Sequence, residues 1–244
     1  MEYLKKLQGA GIFIVTDPFM VESGLVERII GYLEKDRCTI FSNVVPDPPL
    51  ELVIEGVKEV IKHRPDTSLP WAEGLPLMRP RPSCIFPDRS ETCRIWNYCG
   101  SHHQRNRLGS HILCRDHRPG KGNQISLVDQ SLLPDTAILD ASLVKSVPKT
   151  VVADTGMDVL THALEAYVST KANAFTDALA EKAAVTVLRY LLRSYTSQED
   201  FRAREEMHNA SCMAGLAFDR TSLGVNHAIA HNIGGKFKVP HGRT

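Results

Sequence analysis

At 244 residues, with 43% hydrophobic and 7% aromatic residues, the chain has room for one large domain or two small ones and the composition of an ordinary globular protein. Its 29 Lys and Arg nearly cancel its 28 Asp and Glu, so no bulk field recruits nucleic acid or an anionic membrane, and small-molecule chemistry is the expectation. The apolar run Ile12 to Val15 is too short for a membrane span or a secretory h-region, and no basic stretch with a cleavage site accompanies it; a cytoplasmic location is expected. Six cysteines in a chain of this size do not make a disulfide scaffold, so reduced thiols are expected.

The first 67 residues alternate between two periods. Ile12 to Thr16 is apolar, Glu22 to Lys35 is amphipathic, Thr39 to Ser42 is apolar again, and Leu50 to His63 has helical spacing. That alternation predicts the start of a parallel α/β sheet. Such sheets bind ligands beyond the carboxyl ends of their strands, where Asp17 stands in front of Pro18. Asp17 is therefore a candidate ribose-binding carboxylate; the plainer alternative is that it opens the turn into the next helix.

Residues 68 to 126 follow neither period. Prolines, arginines, histidines and cysteines are scattered through them, and so long an irregular stretch inside a compact domain argues against reading it as structure. From Asp135 the pattern is coherent again: a short strand at Thr136 to Leu139, then helices over Thr150 to Ser169, Thr176 to Tyr195 and Asp200 to Phe218.

The helical half carries the chemistry. Asp158 and His162 lie four apart, so a helix projects both from one face, and His227 and His231 repeat the spacing. His241 follows ten residues later between Pro240 and Gly242, which suggests a loop. One carboxylate with several imidazoles suits a divalent cation such as Fe²⁺ or Zn²⁺, and the absence of Cys from the set argues against a structural zinc knot. A single Asp/His pair at this spacing is more often a surface pair or a cap; two pairs and a third His-bearing turn shift the balance toward a metal.

The segments Asp154 to Ser169 (DTGMDVLTHALEAYVS), Gly224 to Gly235 (GVNHAIAHNIGG) and Pro240 to Gly242 resemble the two signatures of the iron-containing alcohol dehydrogenases. The resemblance runs from Leu127 to Thr244 and more weakly over Gly9 to Thr67, through Val15-Thr16-Asp17 and Val45 to Pro48, and leans to the propanol and ethanol dehydrogenase branch. It implies an N-terminal α/β Rossmann-like NAD-binding domain over 1–149 and an all-α metal-binding domain, incomplete at its C-terminal end, over 150–244. It implies Asp158, His162, His227 and His241 as metal ligands, His231 as a proton-relay candidate, and Asp17 on the adenosine ribose, where a carboxylate favours NAD over NADP. The implied chemistry is hydride exchange between a short-chain alcohol or aldehyde and NAD(H), with Fe²⁺ or Zn²⁺ as Lewis acid. A diol dehydrogenase, a hydroxyacid-oxoacid transhydrogenase and an inactive metal-binding remnant are the alternatives; a homo-oligomer is left open.

The resemblance also exposes a gap, because family members carry a glycine-rich pyrophosphate loop after the second αβ unit and the written chain has none. Read from the third base of each codon, Leu69 to Pro82 permits ALGGGSAIDAAKA; read from the second base, Ile112 to Leu127 permits SFAVITDLEKGIKYP, and Asn106 to Ser110 permits TGSG. The glycine spanning Trp71 and Ala72 is forced by the code. Residues 68–126 are therefore expected to be an out-of-frame translation, disordered, with frame changes near Thr67, between Pro82 and Asn106, and near Leu127. On this reading the apparent zinc cluster of Cys84, Cys93, Cys99, His102, His103 and Cys114, whose spacings fit no CxxC pattern, is an accident of translation.

Overall fold

The computed structural model describes residues 4–7, 9–45, 50–70, 95–97, 111–115, 124–128, 136–144, 147–237, 239 and 241–244. Those up to Asp140 form one compact unit and those from Ala141 onward a second. The expected division lay at 149/150.

In the first unit, β1 (Ile12–Val15) lies between β2 (Cys38–Phe41) and β3 (Thr67–Pro70), all parallel. A central strand covered on both faces needs apolar side chains at every position, and all four residues of β1 are buried. The starts of β1 and β3 are tied together: Asp66 and Thr67 donate backbone N–H groups to the Gly11 carbonyl, and Gly11 N–H donates to Asp66 Oδ2 at 2.8 Å. α1 (Pro18–Glu22) and α2 (Leu25–Ile30) follow β1, and α3 (Leu50–His63) follows β2 over the very span its periodicity predicts. Leu52, Val53 and Val60 of α3 pack on Phe13, Val15, Phe41 and Val44, with the Phe13 and Phe41 rings 6.3 Å apart.

One expectation for this unit is corrected. The amphipathic stretch Glu22 to Lys35 is not one helix: Gly24 adopts φ +73°, a left-handed conformation that separates α1 from α2, and helix ends at Ile30. Further along, the described backbone forms β4 (Ile95–Asn97), β5 (His111–Arg115) and β6 (Gln124–Val128). β5 pairs antiparallel with β6, and β4 runs parallel to β7 (Thr136–Ile138). Short runs such as Ile112-Leu113 and Ile125-Ser126-Leu127 have enough strand-forming residues to pair. Cys84, Cys93, Cys99, His102 and His103 lie outside the described residues, as does the side chain of Cys114. Among the described residues Cys38 and Cys212 are free thiols.

The second unit is helical: α4 (Lys149–Tyr167), α5 (Ala174–Thr196), α6 (Phe201–Thr221) and α7 (Val225–Phe237). Small residues let the first three approach closely, with Ala163, Ala183, Ala210 and Ala214 fully buried beside Val159 and Val187, and Ala166, Ala180 and Ala217 packed with Phe218. Two of the long helices have a side-chain cap at their start. Asn173 and Thr176 form a reciprocal capping box on α5, and the Asp200 carboxylate accepts the Ala203 N–H on α6. Among the described residues, no helix is long and apolar enough to cross a membrane.

Candidate metal centre

Asp158 and His162 stand one turn apart on α4, and the first turn of α7 brings His227 to them. All three are buried, with 6%, 1% and 3% of their surface exposed, and their ligand-type atoms lie within 4.8 Å of one another. His227 Nε2 is 3.4 Å and His162 Nδ1 3.8 Å from Asp158 Oδ1. Two donors each about 2.1 Å from one ion can be at most about 4.2 Å apart, so both separations suit a shared divalent cation. The burial makes the same point, because a carboxylate taken out of water needs compensating positive charge.

The imidazoles are held by packing. The His162 ring is sandwiched between His227, 4.4 Å away, and Phe218, 4.5 Å away on α6. His231, half-buried one turn further along α7, meets His227 edge-on at 6.1 Å. His241 opens a short 3-10 turn, His241–Arg243, that packs against α4 and α7; its side chain lies outside the described part of the structure. Arg243 Nε bonds Asp154 Oδ1 at 2.9 Å, one turn before Asp158, and a Cβ on Gly242 would collide with the Asp154 backbone. The turn is thus pressed onto the helix that carries the first two candidate ligands. Asp17, in the other unit, ends β1 as the N-cap of α1 and accepts the Met20 N–H at 2.9 Å, the role the plainer sequence reading gave it.

Glu165 is the residue that sequence reasoning passed over. It follows His162 by three and Asp158 by seven, positions that share a helix face, and that spacing was the available signal. Its Oε2 sits 2.5 Å from His227 Nδ1. Burial alone would push the His227 imidazole toward neutrality, but the carboxylates of Asp158 and Glu165 outweigh it and raise its pKa above the ordinary range. Burial likewise opposes ionisation of Glu165; hydrogen bonds from the Gly224 backbone and from His227 overcome it and hold that carboxyl below the usual range.

Two family models match the chain over the segments that build these units: "Iron-containing alcohol dehydrogenase" over residues 1–69 and "Fe-containing alcohol dehydrogenase family, C-terminal" over residues 152–244. The chain belongs to the iron-containing alcohol dehydrogenase family. It is 43% identical over 99% of its length to the 1-propanol dehydrogenase PduQ of Citrobacter freundii and 40% identical over 98% to that of Salmonella typhimurium, supporting the propanol-like branch. It spans 66% and 65% of those relatives' lengths. Among solved structures, a 1,3-propanediol oxidoreductase aligns with TM-score 0.84 at 27% identity, covering 99% of this chain and 67% of the other. An iron-containing alcohol dehydrogenase from Thermococcus thioreducens aligns with TM-score 0.80 at 25% identity, covering 98% and 68%. The α/β unit followed by a helical unit is the architecture expected of this family.

Proposed function

We propose that the chain is the coenzyme-side and metal-side portion of an alcohol:NAD oxidoreductase acting on short-chain primary alcohols and the corresponding aldehydes. The observation that carries the reading is the buried Asp158–His162–His227 group, standing within a family of metal-containing alcohol dehydrogenases. Asp158, His162 and His227 hold a divalent cation, Fe²⁺ or Zn²⁺, with His241 as fourth ligand; the pinning of the His241–Arg243 turn to α4 supports that last assignment. When bound, the cation supplies Lewis acidity at the substrate oxygen, and the nicotinamide supplies the redox chemistry. His231 moves the alcohol proton, a role supported by its place one turn beyond His227. Asp17 receives the adenosine ribose, and its negative charge disfavours the additional phosphate of NADP. Small alcohols fit the relatives' printed names, and no nucleic acid or membrane partner is part of this reading.

A second reading is favoured by one sequence observation: as written, the chain lacks a glycine-rich loop whose backbone N–H groups could cradle a pyrophosphate. The match to the N-terminal family model stops at residue 69, next to the frame change inferred near Thr67. On that reading residues 68–126 are out of frame, and the chain keeps its metal site without coenzyme binding. The two readings separate on one assay. A frame-restored chain extended to the length of its relatives should reduce NAD⁺ with 1-propanol, lose that activity to a chelator and regain it with Fe²⁺ or Zn²⁺; turnover indifferent to chelation would overturn the metal assignment. The chain as written should bind metal but not NAD⁺.

A further inference from the structure

We propose that Glu165 is a positioning residue of the metal centre, closing the N-terminus of α7 and turning the His227 ring so that Nδ1–H faces Glu165 and Nε2 faces Asp158 and His162. This inference rests on the ligand assignment above. Glu165 Oε1 accepts the backbone N–H groups of Asn226 at 2.8 Å and His227 at 3.3 Å; Oε2 accepts that of Gly224 at 2.8 Å and faces His227 Nδ1 at 2.5 Å. An ionised carboxylate offers about four lone-pair sites, and these four donors occupy them. Glu165 therefore has no acceptor capacity left for a cation, although it stands on the same helix face as Asp158 and His162. Its position is beside the ligand set rather than within it.

The arrangement couples two tasks in one side chain. The first N–H groups of a helix have no partner inside it, and Glu165, reaching across from α4, supplies one for three residues at the start of α7. Because His227 is itself among them, the same carboxylate fixes both the backbone that carries the imidazole and the rotation of the ring. A carboxylate can only accept, so a metal-loaded His227 must keep its proton on Nδ1 and present Nε2 as the ligand. Such carboxylate–histidine pairs typically change metal affinity by about 10- to 100-fold when broken. Glu165→Gln tests this with little change in volume. Its single amide oxygen cannot serve both the α7 N–H groups and Nδ1–H, and an NH₂ turned toward Nδ1 favours the proton on Nε2, the atom needed for the cation.

The test is titration of the full chain with Co²⁺, read by its visible d–d absorption, for the wild type, His162→Ala and Glu165→Gln. We expect tight binding by the wild type, loss in His162→Ala, and in Glu165→Gln an affinity about 10- to 100-fold weaker with shifted bands and unchanged far-ultraviolet circular dichroism. If the wild type binds and His162→Ala does not, while Glu165→Gln matches the wild type in affinity and spectrum, the ligand assignment stands and the role of Glu165 is refuted. A wild type that binds no Co²⁺ overturns the ligand assignment and this proposal with it. Should Glu165→Gln not fold, imidazole ¹⁵N shifts of the Zn²⁺-loaded wild type decide: a proton on Nδ1 of His227 supports the proposal, and a proton on Nε2 overturns it.

Discussion

Asp158 shows how one residue sets the character of this site. Its carboxylate is buried on α4 with imidazole nitrogens at 3.4 and 3.8 Å, a setting in which a cation or protonated imidazoles would balance its ionised form. The residues around it act by placing side chains. Phe218 stacks on His162, Glu165 orients His227, and Arg243 draws the 241–243 turn to Asp154. The Arg243–Asp154 pair is half-exposed on the arginine side, and such pairs contribute about 0–1 kcal/mol. Arg243→Ala should therefore weaken metal affinity by less than about tenfold and leave the thermal midpoint nearly unchanged, whereas His241→Ala should weaken affinity far more. Competition titration against a metal chelator measures both. Equal losses in the two variants would mean that the turn brings no ligand to the ion.

At the scale of the element, what could be read in advance follows from how local each signal is. α3 begins and ends where its spacing of apolar residues predicts, with Glu51 in its first turn and Lys62 and His63 in its last, as the helix dipole favours. The long helices of the second unit were also legible, because their apolar periodicity is a local signal, and on α5 and α6 the capping residues Asn173 and Asp200 lie next to the helix start. The break at Gly24 was not, since one glycine in an amphipathic run either is tolerated or turns left-handed, and local spacing does not decide which. Of the site, the i,i+4 pairs on α4 and α7 were legible; the meeting of those helices through Glu165 depends on tertiary contacts that no spacing encodes. The capping box on α5 permits a quantitative expectation. Asn173→Ala removes the acceptor for the Phe175 and Thr176 N–H groups and should destabilise the helical unit by about 1 kcal/mol, seen as a lower urea midpoint with unchanged slope. An unchanged midpoint would show that the cap is dispensable.

For the whole molecule, the two units raise different questions. The helical unit gathers a cation-type ligand group from segments 65 or more residues apart in sequence, and its α5 leaves Leu188 and Leu192 exposed at 73% and 70%. The α/β unit presents β1 to β3 and the Asp17 turn, but the sequence after Pro70 loses the glycine pattern that coenzyme binding requires. Resequencing the coding DNA from the codon for Thr67 through that for Leu127 should restore a GGGS and a TGSG loop; a sequence identical to the present one would reject the frame-change account as an error of the record. The metal assignment is independent of that outcome. It is tested most directly by the metal content of the purified chain after equilibration with Zn²⁺ and removal of free ion. The account predicts about one tightly held ion per wild-type chain and none in His227→Ala. The same metal content in both proteins would contradict it.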